Sequence, residues 1–481
     1  MISSRPRLRL VNAFEDRALV VALRFRNRSA ALHEMFVAGI LMCMRPAPVY
    51  SIESMRDKES SLRLFRSGVC KLASLSAIGL ALGLLLAVTP CASAAQAPVI
   101  ATPAAPHTLT GIDVLELENF APLKGKRVGL ITNQTGVDSQ SRRTIDMLKA
   151  APGVKLVALF SPEHGIAGRF DSSVSNATDS QTGLTIYSLY GTTRQPTPEM
   201  LANLDALVFD IQDAGVRFYT FTTTMAYCME EAAKAHIPYY VLDRPNPLGG
   251  EIIEGPMLDP DKLSFVGYFP EPVRYAMTMG ELAQMFNAEN KIGADLHVIA
   301  MKNWKRDEPY NQAGLPWIAP SPNLRSLTEA YLYPGIEILQ AGGVSVGRGT
   351  DTPFEILGAP WIDSAKFAAA LHRKKIPGVE FTPTQFTPTQ DLYAGQPCQG
   401  VRIRIAPNGD LRSMRMGLEI ADTLHRMYPQ NFHLEKTITL IGNQATVDAL
   451  ARNESPAKII KSWAPALDNF RTTRAKYLLY H

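Results

Sequence analysis

The chain has 481 residues, which exceeds one ordinary domain and favours two folded units with additional segments. Its net charge is +4, but residues 1–94 hold 13 Lys/Arg against 6 Asp/Glu, so the remaining residues hold 36 against 39. The part of the chain expected to fold is therefore slightly acidic. This charge balance gives no indication of a nucleic-acid surface, so no nucleic-acid partner is expected.

The basic excess lies where a targeting segment would carry it. The stretch SLRLFRSGVCK precedes an apolar run at residues 72–89, and an A-x-A site ends at Ala94. This order is typical of a secretory signal peptide, so we expect residues 1–94 to be an arm and signal, with export to the periplasm or medium. The Gly and Ala content favours cleavage over a stable membrane anchor, and the proline before Cys91 disfavours a lipoprotein. Translation from Met55 would give a signal of ordinary length.

After an Ala/Pro linker at residues 95–108, apolar strand patterns alternate with helical patterns. Short continuous apolar strands separated by helices predict a parallel sheet covered on both faces. We therefore expect an α/β fold with a Rossmann-like domain over residues 109–330. The predicted strands are 126–133, 154–160, 205–211, 238–243 and 296–301, and the predicted helices are 141–151, 222–237 and 278–290.

From about Tyr331 the pattern changes. Strand patterns in GVSVGRG, GVRIRIA and ITLIG are separated by helical patterns in SAKFAAALHRK and RMGLEIADTLHRM, which predicts a smaller auxiliary α+β domain over residues 331–481. Beyond the leader the chain has only Cys228 and Cys398, too few for a metal cluster. Whether these two form a disulfide is left open.

Polar sequence follows each of the first four strands, as TNQTG, SPEHG, DIQDAGVRFYT and DRPNPLGG. In an open parallel sheet, ligands bind outside the carboxyl ends of the strands, so these segments predict a binding site along one rim. After the first strand the chain offers only NQTGVD, with one glycine, and neither GxGxxG nor a Walker loop. No nucleotide cofactor is therefore expected, even if the sheet is Rossmann-like.

Glu163 and His164 follow the second strand, between Pro162 and Gly165. A carboxyl group held at a strand end is suited to general acid–base catalysis, and the alternative is a turn residue with local hydrogen bonds. Adjacent residues of an extended segment point in opposite directions. His164 is therefore expected either as a catalytic partner in the cleft or as a brace for the loop.

Other polar residues of the rim complete the predicted site. Asp210, at the end of the third strand, is a further candidate catalytic carboxylate, with an internal salt bridge as its alternative. No HExxH or His-x-His pattern supports zinc, so no metal is expected, with a hard oxygen-bound cation as the alternative. The predicted substrate-binding residues are Asn133, Arg217, Tyr219, Asp243, Asn246, Asn323, Arg348 and Asp351.

Seven motifs occur in register: TNQTG, FSPEHGIAG, FDIQDAGVRFYT, DRPNPLGG, SPNL, YPG and SVGRGTDTPFEILGAPW. Through them, residues 108–481 resemble the NamZ-type exo-β-N-acetylmuramidases of glycoside hydrolase family 171, long described as a domain of unknown function. The resemblance implies a Rossmann-like domain joined to a smaller domain, with the site in the cleft between them. It also implies release of N-acetylmuramic acid from the non-reducing end of peptidoglycan fragments, with Glu163 in the position of the catalytic glutamate.

This activity matches the chemistry of the rim. Muramic acid carries a lactyl carboxylate, which Arg348 or, as second choice, Arg217 would bind. Glycosidic cleavage generally uses two carboxyl groups, so the partner of Glu163 is expected to be Asp210, Asp243 or Asp351, or else the acetamido group of the substrate. The alternatives from other classes are a muropeptide-binding module without chemistry and a metal-dependent phosphoesterase.

Overall fold

A computed structural model describes residues 107–481 of the chain, apart from Asp171 and residues 408–409. The predicted arm, the signal with its apolar run at 72–89 and nearly all of the linker lie outside the described residues. No helix within the described part of the chain is long and apolar enough to cross a membrane.

The main sheet has seven strands in the order β3-β4-β2-β1-β5-β6-β9. Every neighbouring pair is parallel except β3 with β4. The five strands predicted from apolar runs are all present, as β1, β2, β5, β6 and β9, which confirms the predicted parallel sheet. The strands are β1 Arg127–Thr132, β2 Lys155–Ser161, β3 Ala177–Thr178, β4 Thr185–Ser188, β5 Ala206–Asp210, β6 Tyr239–Leu242 and β9 Leu296–Ile299.

Side chains of the central strands alternate between two apolar clusters. On β5, Val208 belongs to the cluster under the first two helices, while Leu207 and Phe209 belong to the cluster on the opposite face. This period of two is what a strand buried on both faces requires. The helices of this part are α1 Gly111–Leu117, α2 Thr144–Ala150, α3 Pro198–Leu201, α4 Phe221–Lys234 and α5 Met279–Glu289, with a small antiparallel pair β7 Glu254–Met257 and β8 Pro272–Arg274.

The C-terminal part has a three-stranded antiparallel sheet in the order β10-β12-β11. Its core residues, among them Phe367, Ile403 and Leu424, belong to the same apolar cluster as one face of the main sheet. The two parts are therefore packed on a shared core. The strands are β10 Ile356–Ala359, β11 Val379–Phe386 and β12 Cys398–Ile405, and the helices are α6 Leu327–Ile336, α7 Ser364–Lys374, α8 Ser413–Met427, α9 Ile438–Ile441, α10 Gln444–Ala451, α11 Pro456–Ser462 and α12 Ala464–Arg474.

Two predicted strands of the C-terminal part are wrong. GVSVGRG makes only an isolated bridge between Ser345 and Gly358, because Gly347 and Gly349 adopt positive φ values of 80° and 78° that break an extended ladder. ITLIG forms the short helix α9, which ends where Gly442 adopts a φ of 63°. A four-residue apolar run has no period that separates a strand from a buried helical turn.

The two cysteines of the described chain are both buried free thiols, so Cys228 and Cys398 do not form a disulfide. Burial raises the pKa of the Cys228 thiol well above its usual value, which leaves it protonated and unreactive at neutral pH.

Candidate active site

A cavity of about 680 Å³ lies between the carboxyl edge of the main sheet and the C-terminal part. This volume is within the range of small-molecule sites. The cavity is bordered by the loop after β2, the loop before α4 and several segments of the C-terminal part. Its charged wall residues comprise three carboxylates and one guanidinium, namely Glu163, Glu337, Asp391 and Arg348.

Glu163 enters the cavity wall directly after β2. Pro162 ends the strand because it cannot donate a ladder hydrogen bond, and the half-buried Glu163 follows. Thr220, immediately before α4, donates a hydrogen bond from its hydroxyl to Oε2 of Glu163 at 2.5 Å. The other oxygen, Oε1, has no hydrogen-bond partner among the described residues. One oxygen of the carboxyl group is thus positioned by the protein, and the other is available to a ligand.

His164 both lines the cavity and braces the loop that follows it. Its Nδ1 lies 2.6 Å from the carbonyl oxygen of Phe170, and its own carbonyl accepts from the backbone N–H groups of Arg169 and Phe170. Its φ of 69° is uncommon for a residue with a side chain, and such strain is concentrated at functional sites. Both predicted roles of His164, in the cleft and in the loop, are therefore compatible with its position.

Aromatic residues from both parts form one wall of the cavity. Tyr219 makes an edge contact with Tyr333 at 6.0 Å between ring centroids, and Tyr333 contacts Phe218 at 5.4 Å and Phe354 at 5.0 Å. Burial raises the pKa of Tyr219 well above its usual value, so its phenol stays protonated and can donate a hydrogen bond. This wall joins apolar ring surface to a hydroxyl donor, as is usual in sites that bind a polar organic ligand.

Arg348 lines the cavity from the C-terminal part of the chain. It lies on the loop GVSVGRG, for which the sequence predicts a strand. Its guanidinium donates to Glu337 at 2.7 Å and to Gln340 at 3.0 Å, and Asp391 is 3.8 Å away. Although burial disfavours its charge, the carboxylate of Glu337 raises the pKa of Arg348 above its usual value. The guanidinium is therefore permanently charged and is held in the cavity wall by acceptors of the same wall.

Five of the predicted site residues line this cavity, and the structure brings them together from four separate segments. The remaining six do not line it. The five are Glu163, His164, Tyr219, Asn323 and Arg348.

Asp210 is fully buried and is the partner of Arg244, not a wall residue of the cavity. Arg244 donates from Nε at 2.6 Å and from Nη2 at 2.9 Å to the two carboxylate oxygens, and Thr144 donates its hydroxyl to Oδ2. Both carboxylate oxygens of Asp210 therefore already accept hydrogen bonds from residues of the protein. The structure does not support Asp210 as a catalytic residue; it supports the alternative, an internal salt bridge.

Asp243 and Asn246 are likewise occupied by the protein. Asp243 is fully buried and accepts from the hydroxyl groups of Thr278 and Tyr480, the second at 2.6 Å. Burial raises the pKa of Asp243 to about 6, against the opposing effect of the Tyr480 hydrogen bond. Asn246 donates to the carbonyl of Met277 and accepts from a backbone N–H of its own loop. Both residues order the DRPNPLGG turn and do not contact the cavity.

Arg217 is only 1% exposed and cannot bind a ligand in the cavity. Its two terminal nitrogens donate to four backbone carbonyls, two of them from β7 and the segment before β8, and two from Leu440 and Ile441 in α9. Burial lowers the pKa of Arg217 to about 10, which still leaves it charged at neutral pH. The residue is a cross-link between the two parts, and its predicted role in substrate binding is not supported.

Two further predicted residues are placed away from the cavity. The side-chain oxygen of Asn133 accepts from the backbone and hydroxyl of Thr135, which closes the turn after β1. Asp351 is exposed on the loop after Arg348 and is not part of the wall. Neither position supports the predicted contact with substrate.

The crevice where a doubly wound sheet usually binds its ligand is filled in this protein. The strand order reverses between β1 and β5, which is the topological switch point. The Asp210–Arg244 pair lies at this edge, and the remaining space beside Arg244 and Tyr310 is about 10 Å³. A ligand is therefore excluded from the switch point, and the open cavity lies to one side, beyond β2 and the start of α4.

Several residues of the cavity were not found from the sequence. Thr220 ends the motif FDIQDAGVRFYT, and no local pattern marks it as a site residue. Glu337, Gln340, Gln390 and Asp391 come from a 3₁₀ turn and a loop of the C-terminal part. The YPG motif directly precedes the first of these segments and is the one sequence signal that pointed there. Within the described residues, no group of three or more His, Cys, Asp or Glu side chains is arranged to hold a metal ion.

The fold and the cavity define a class: a two-part α/β protein with a Rossmann-like sheet, whose carboxylate-lined site lies between the sheet and a smaller C-terminal part. The chain belongs to the NamZ exo-β-N-acetylmuramidase family. Residues 128–328 match the N-terminal domain of that family and residues 331–480 match its C-terminal domain.

Individual relatives agree with this assignment. The chain is 44% identical over 380 residues to the peptidoglycan β-N-acetylmuramidase NamZ of Bacillus subtilis, covering 78% of this chain and 92% of that protein. Its fold is similar to crystal structures of two DUF1343 family proteins of Bacteroides fragilis, with TM-scores of 0.73 and 0.65 at 39% and 30% identity. Each match covers 78% of this chain and 99% of the solved chain.

Proposed function

We propose that this protein is an exo-acting glycoside hydrolase that releases N-acetylmuramic acid from the non-reducing end of peptidoglycan fragments. The observation that carries the proposal is Glu163, whose carboxyl group is held by Thr220 in the wall of a cavity of about 680 Å³. The family assignment and the Bacillus subtilis relative, a peptidoglycan β-N-acetylmuramidase, support the same reaction.

In the proposed reaction Glu163 is the general acid. It donates its proton to the glycosidic oxygen as the bond from that oxygen to the anomeric carbon breaks, and the leaving sugar departs with a free hydroxyl group. Water then adds to the anomeric carbon and its proton returns to Glu163. Because Thr220 holds only Oε2, Oε1 is the oxygen that faces the leaving group.

The three aspartates that the sequence offered as the second catalytic group do not line the cavity, so other carboxylates must be considered. Asp210 and Asp243 are buried away from the cavity, and Asp351 is outside its wall. The carboxylates that share the cavity with Glu163 are Glu337 and Asp391. We propose that one of these two acts opposite Glu163, either directly at the anomeric carbon or by orienting the acetamido group of the substrate as the nucleophile.

We propose that Arg348 binds the lactyl carboxylate that distinguishes muramic acid from glucosamine. Burial removes Arg217 from consideration, which leaves Arg348 as the guanidinium in the described cavity wall. Its contacts with Glu337 and Gln340 fix its orientation, so little side-chain entropy is lost when a ligand binds.

Replacing Arg348 by alanine should impair the muramic acid substrate selectively. A charge-assisted contact is worth about 1.5–3 kcal/mol net, so kcat/KM on an N-acetylmuramic acid nitrophenyl glycoside should fall roughly tenfold to a hundredfold. Any weak activity on the N-acetylglucosamine glycoside, which lacks the lactyl group, should fall less, by no more than the loss of the contact between Arg348 and Glu337 causes. Steady-state kinetics on the two glycosides measures the difference.

The control is Arg373→Ala, which removes an exposed positive charge on α7 outside this cavity and should affect neither substrate. Equal losses on both glycosides in Arg348→Ala would show that this arginine only supports the wall. The wild-type assay also separates the alternative functions. Binding without turnover would indicate a muropeptide-binding module, and loss of hydrolysis in EDTA would indicate a metal-dependent enzyme.

We also propose that the enzyme acts outside the cytoplasm, after cleavage of a signal peptide near Ala94. The basic lead-in, the apolar run at 72–89 and the A-x-A site support export. A chain starting at Ala95 should fold and retain full activity, and mass spectrometry of the exported protein should find an N-terminus near Ala95. A mature N-terminus near Met1, with activity lost on truncation, would contradict this.

A further inference from the structure

A second cavity, of about 770 Å³, lies beside the second half of α4. We name it the outer groove. It lies between the second half of α4, the loop 263–268 and the residues after α5. Its lining combines two tyrosine rings with hydrogen-bonding side chains, chiefly Tyr227, Glu230, Lys234, Tyr268 and Asn290.

One tight turn separates the outer groove from the candidate active site. Ser264 and Gly267 exchange two backbone hydrogen bonds of 2.9 and 3.0 Å, which fixes the turn between them. Val266, in this turn, lines the active-site cavity, whereas Ser264 and Tyr268 line the outer groove. Two residues of extended chain span at most about 7 Å, so the two cavities are adjacent across the width of one turn.

Helix α4 runs from one cavity to the other. Thr220, which holds Glu163, directly precedes this helix, and Tyr227 is seven residues further on. With a rise of 1.5 Å per residue, Tyr227 is displaced by about 10 Å along the helix axis, and Lys234 by about 21 Å. The residues of α4 at 221–226 are all buried, so a chain-like ligand that leaves the catalytic carboxyl group passes over the turn at 264–267 and not along the helix.

The aromatic side chains along this path are in mutual contact. The ring of Phe265 lies 6.2 Å from that of Tyr227 and 6.0 Å from that of Tyr190, and Tyr227 lies 5.9 Å from Tyr268. The guanidinium of the exposed Arg194 stacks over Phe265 at 4.2 Å. Phe265 itself is buried, whereas Tyr227 and Tyr268 are half-buried, so these contacts hold two partly exposed tyrosine rings in place for a ligand.

The chemistry of the outer groove matches a glycan chain. Sugar rings offer apolar C–H faces to aromatic side chains and hydroxyl or acetamido groups to polar ones. Glu230 already accepts from the hydroxyl of Tyr268 at 2.6 Å, and the side chain of Lys234 is 65% exposed. Lys234 is paired with Glu231 at 2.8 Å, so the features suited to a sugar chain are the tyrosine rings and the polar side chains, and not a free positive charge.

We propose that the outer groove binds the glycan on the reducing side of the scissile bond, as a continuation of the active site. The inference rests on the proposed function, because it assumes that the cavity at Glu163 holds the terminal muramic acid. The enzyme then cleaves one sugar at a time but recognises several, and longer fragments are better substrates than the disaccharide.

The test compares a muramic acid–glucosamine disaccharide with a hexasaccharide of the same repeat. For the wild type, kcat/KM should be higher on the hexasaccharide. Tyr227→Ala should lose roughly threefold to tenfold on the hexasaccharide, the usual contribution of an aromatic contact, and change little on the disaccharide. Ala233→Trp, at a half-buried position of α4 that lines the groove, should obstruct the groove and give the same length-dependent loss.

The matched control is Tyr428→Ala, which removes a half-buried tyrosine with two aromatic neighbours, Trp361 and Phe367, from a position that lines neither cavity. It should not change the ratio between the two substrates. Equal wild-type kcat/KM on both lengths, or wild-type behaviour of Ala233→Trp on the hexasaccharide, would overturn the proposal. A wild type inactive on both substrates would instead overturn the proposed function.

Discussion

Glu163→Gln should lower kcat on a muramic acid–glucosamine disaccharide by a factor on the order of 10²–10⁴, the usual contribution of general acid–base catalysis. The amide keeps the shape of the side chain and can still accept a hydrogen bond from Thr220, but it cannot donate a proton to the leaving oxygen. A nitrophenyl glycoside has a better leaving group and needs less protonation, so its hydrolysis should fall less. Initial rates on both substrates measure the effect.

The effect should be confined to catalysis. Because Glu163 is only half-buried and has no charged partner within hydrogen-bonding distance among the described residues, the thermal unfolding midpoint and the affinity for substrate should change little. Thr220→Val is the companion variant, since it removes the hydroxyl that positions Oε2. It should reduce kcat by less than Glu163→Gln. Near-normal turnover of the disaccharide by Glu163→Gln would assign the acid to Glu337 or Asp391.

Asp210→Ala should show the opposite behaviour, with a large loss of stability and an intact site. It leaves the buried guanidinium of Arg244 without its carboxylate partner, and breaking a buried ion pair from one side costs about 3–5 kcal/mol. Denaturant titration of wild type and variant measures this loss in the free energy of unfolding. Under conditions where the variant is folded, kcat should remain close to that of the wild type.

Strand β5 provides a matched control for this experiment. Asp205, directly before the strand, also pairs with an arginine, but the Asp205–Arg127 pair is about 40% exposed on both side chains. Exposed pairs contribute about 0–1 kcal/mol, so Asp205→Ala should be mild. A double replacement of Asp210 and Arg244 by apolar residues should recover part of the stability. A folded but inactive Asp210→Ala would restore Asp210 as a catalytic residue.

The strands of the main sheet were predictable because a strand that is buried on both faces needs apolar residues at nearly every position, and such runs are visible in the sequence. Strands β1, β2 and β5 are continuous apolar runs, as expected where both faces of a sheet are covered. The same criterion was wrong for ITLIG, which is equally apolar but forms α9, with Arg217 donating to two of its carbonyls. In a short run, contacts with a residue 223 positions earlier in the chain outweigh local preference.

The site was predictable only in part, because the local sequence does not show which of the acidic residues at strand ends are paired within the folded protein. Glu163 and Asp210 each follow a buried strand, and local reasoning assigns both to the same rim. Arg244 and Thr144 take up the carboxylate of Asp210, whereas Glu163 receives a single hydroxyl from Thr220 and keeps one oxygen available. Which acid is structural and which can act on a ligand depends on partners brought in by folding.

The sequence by itself determined the parallel sheet, the family of the chain and the position of Glu163 at a strand end, since apolar periodicity and contiguous motifs are local properties. Only the tertiary structure decided where the cavity lies. The Asp210–Arg244 pair fills the switch point between β1 and β5, and Glu337, Asp391 and Arg348 of the C-terminal part join Glu163 beyond β2. The physical reason is that a buried charge is stable only beside a partner of opposite charge. Which residue is that partner depends on distance in the folded structure, and separation along the sequence does not give this distance.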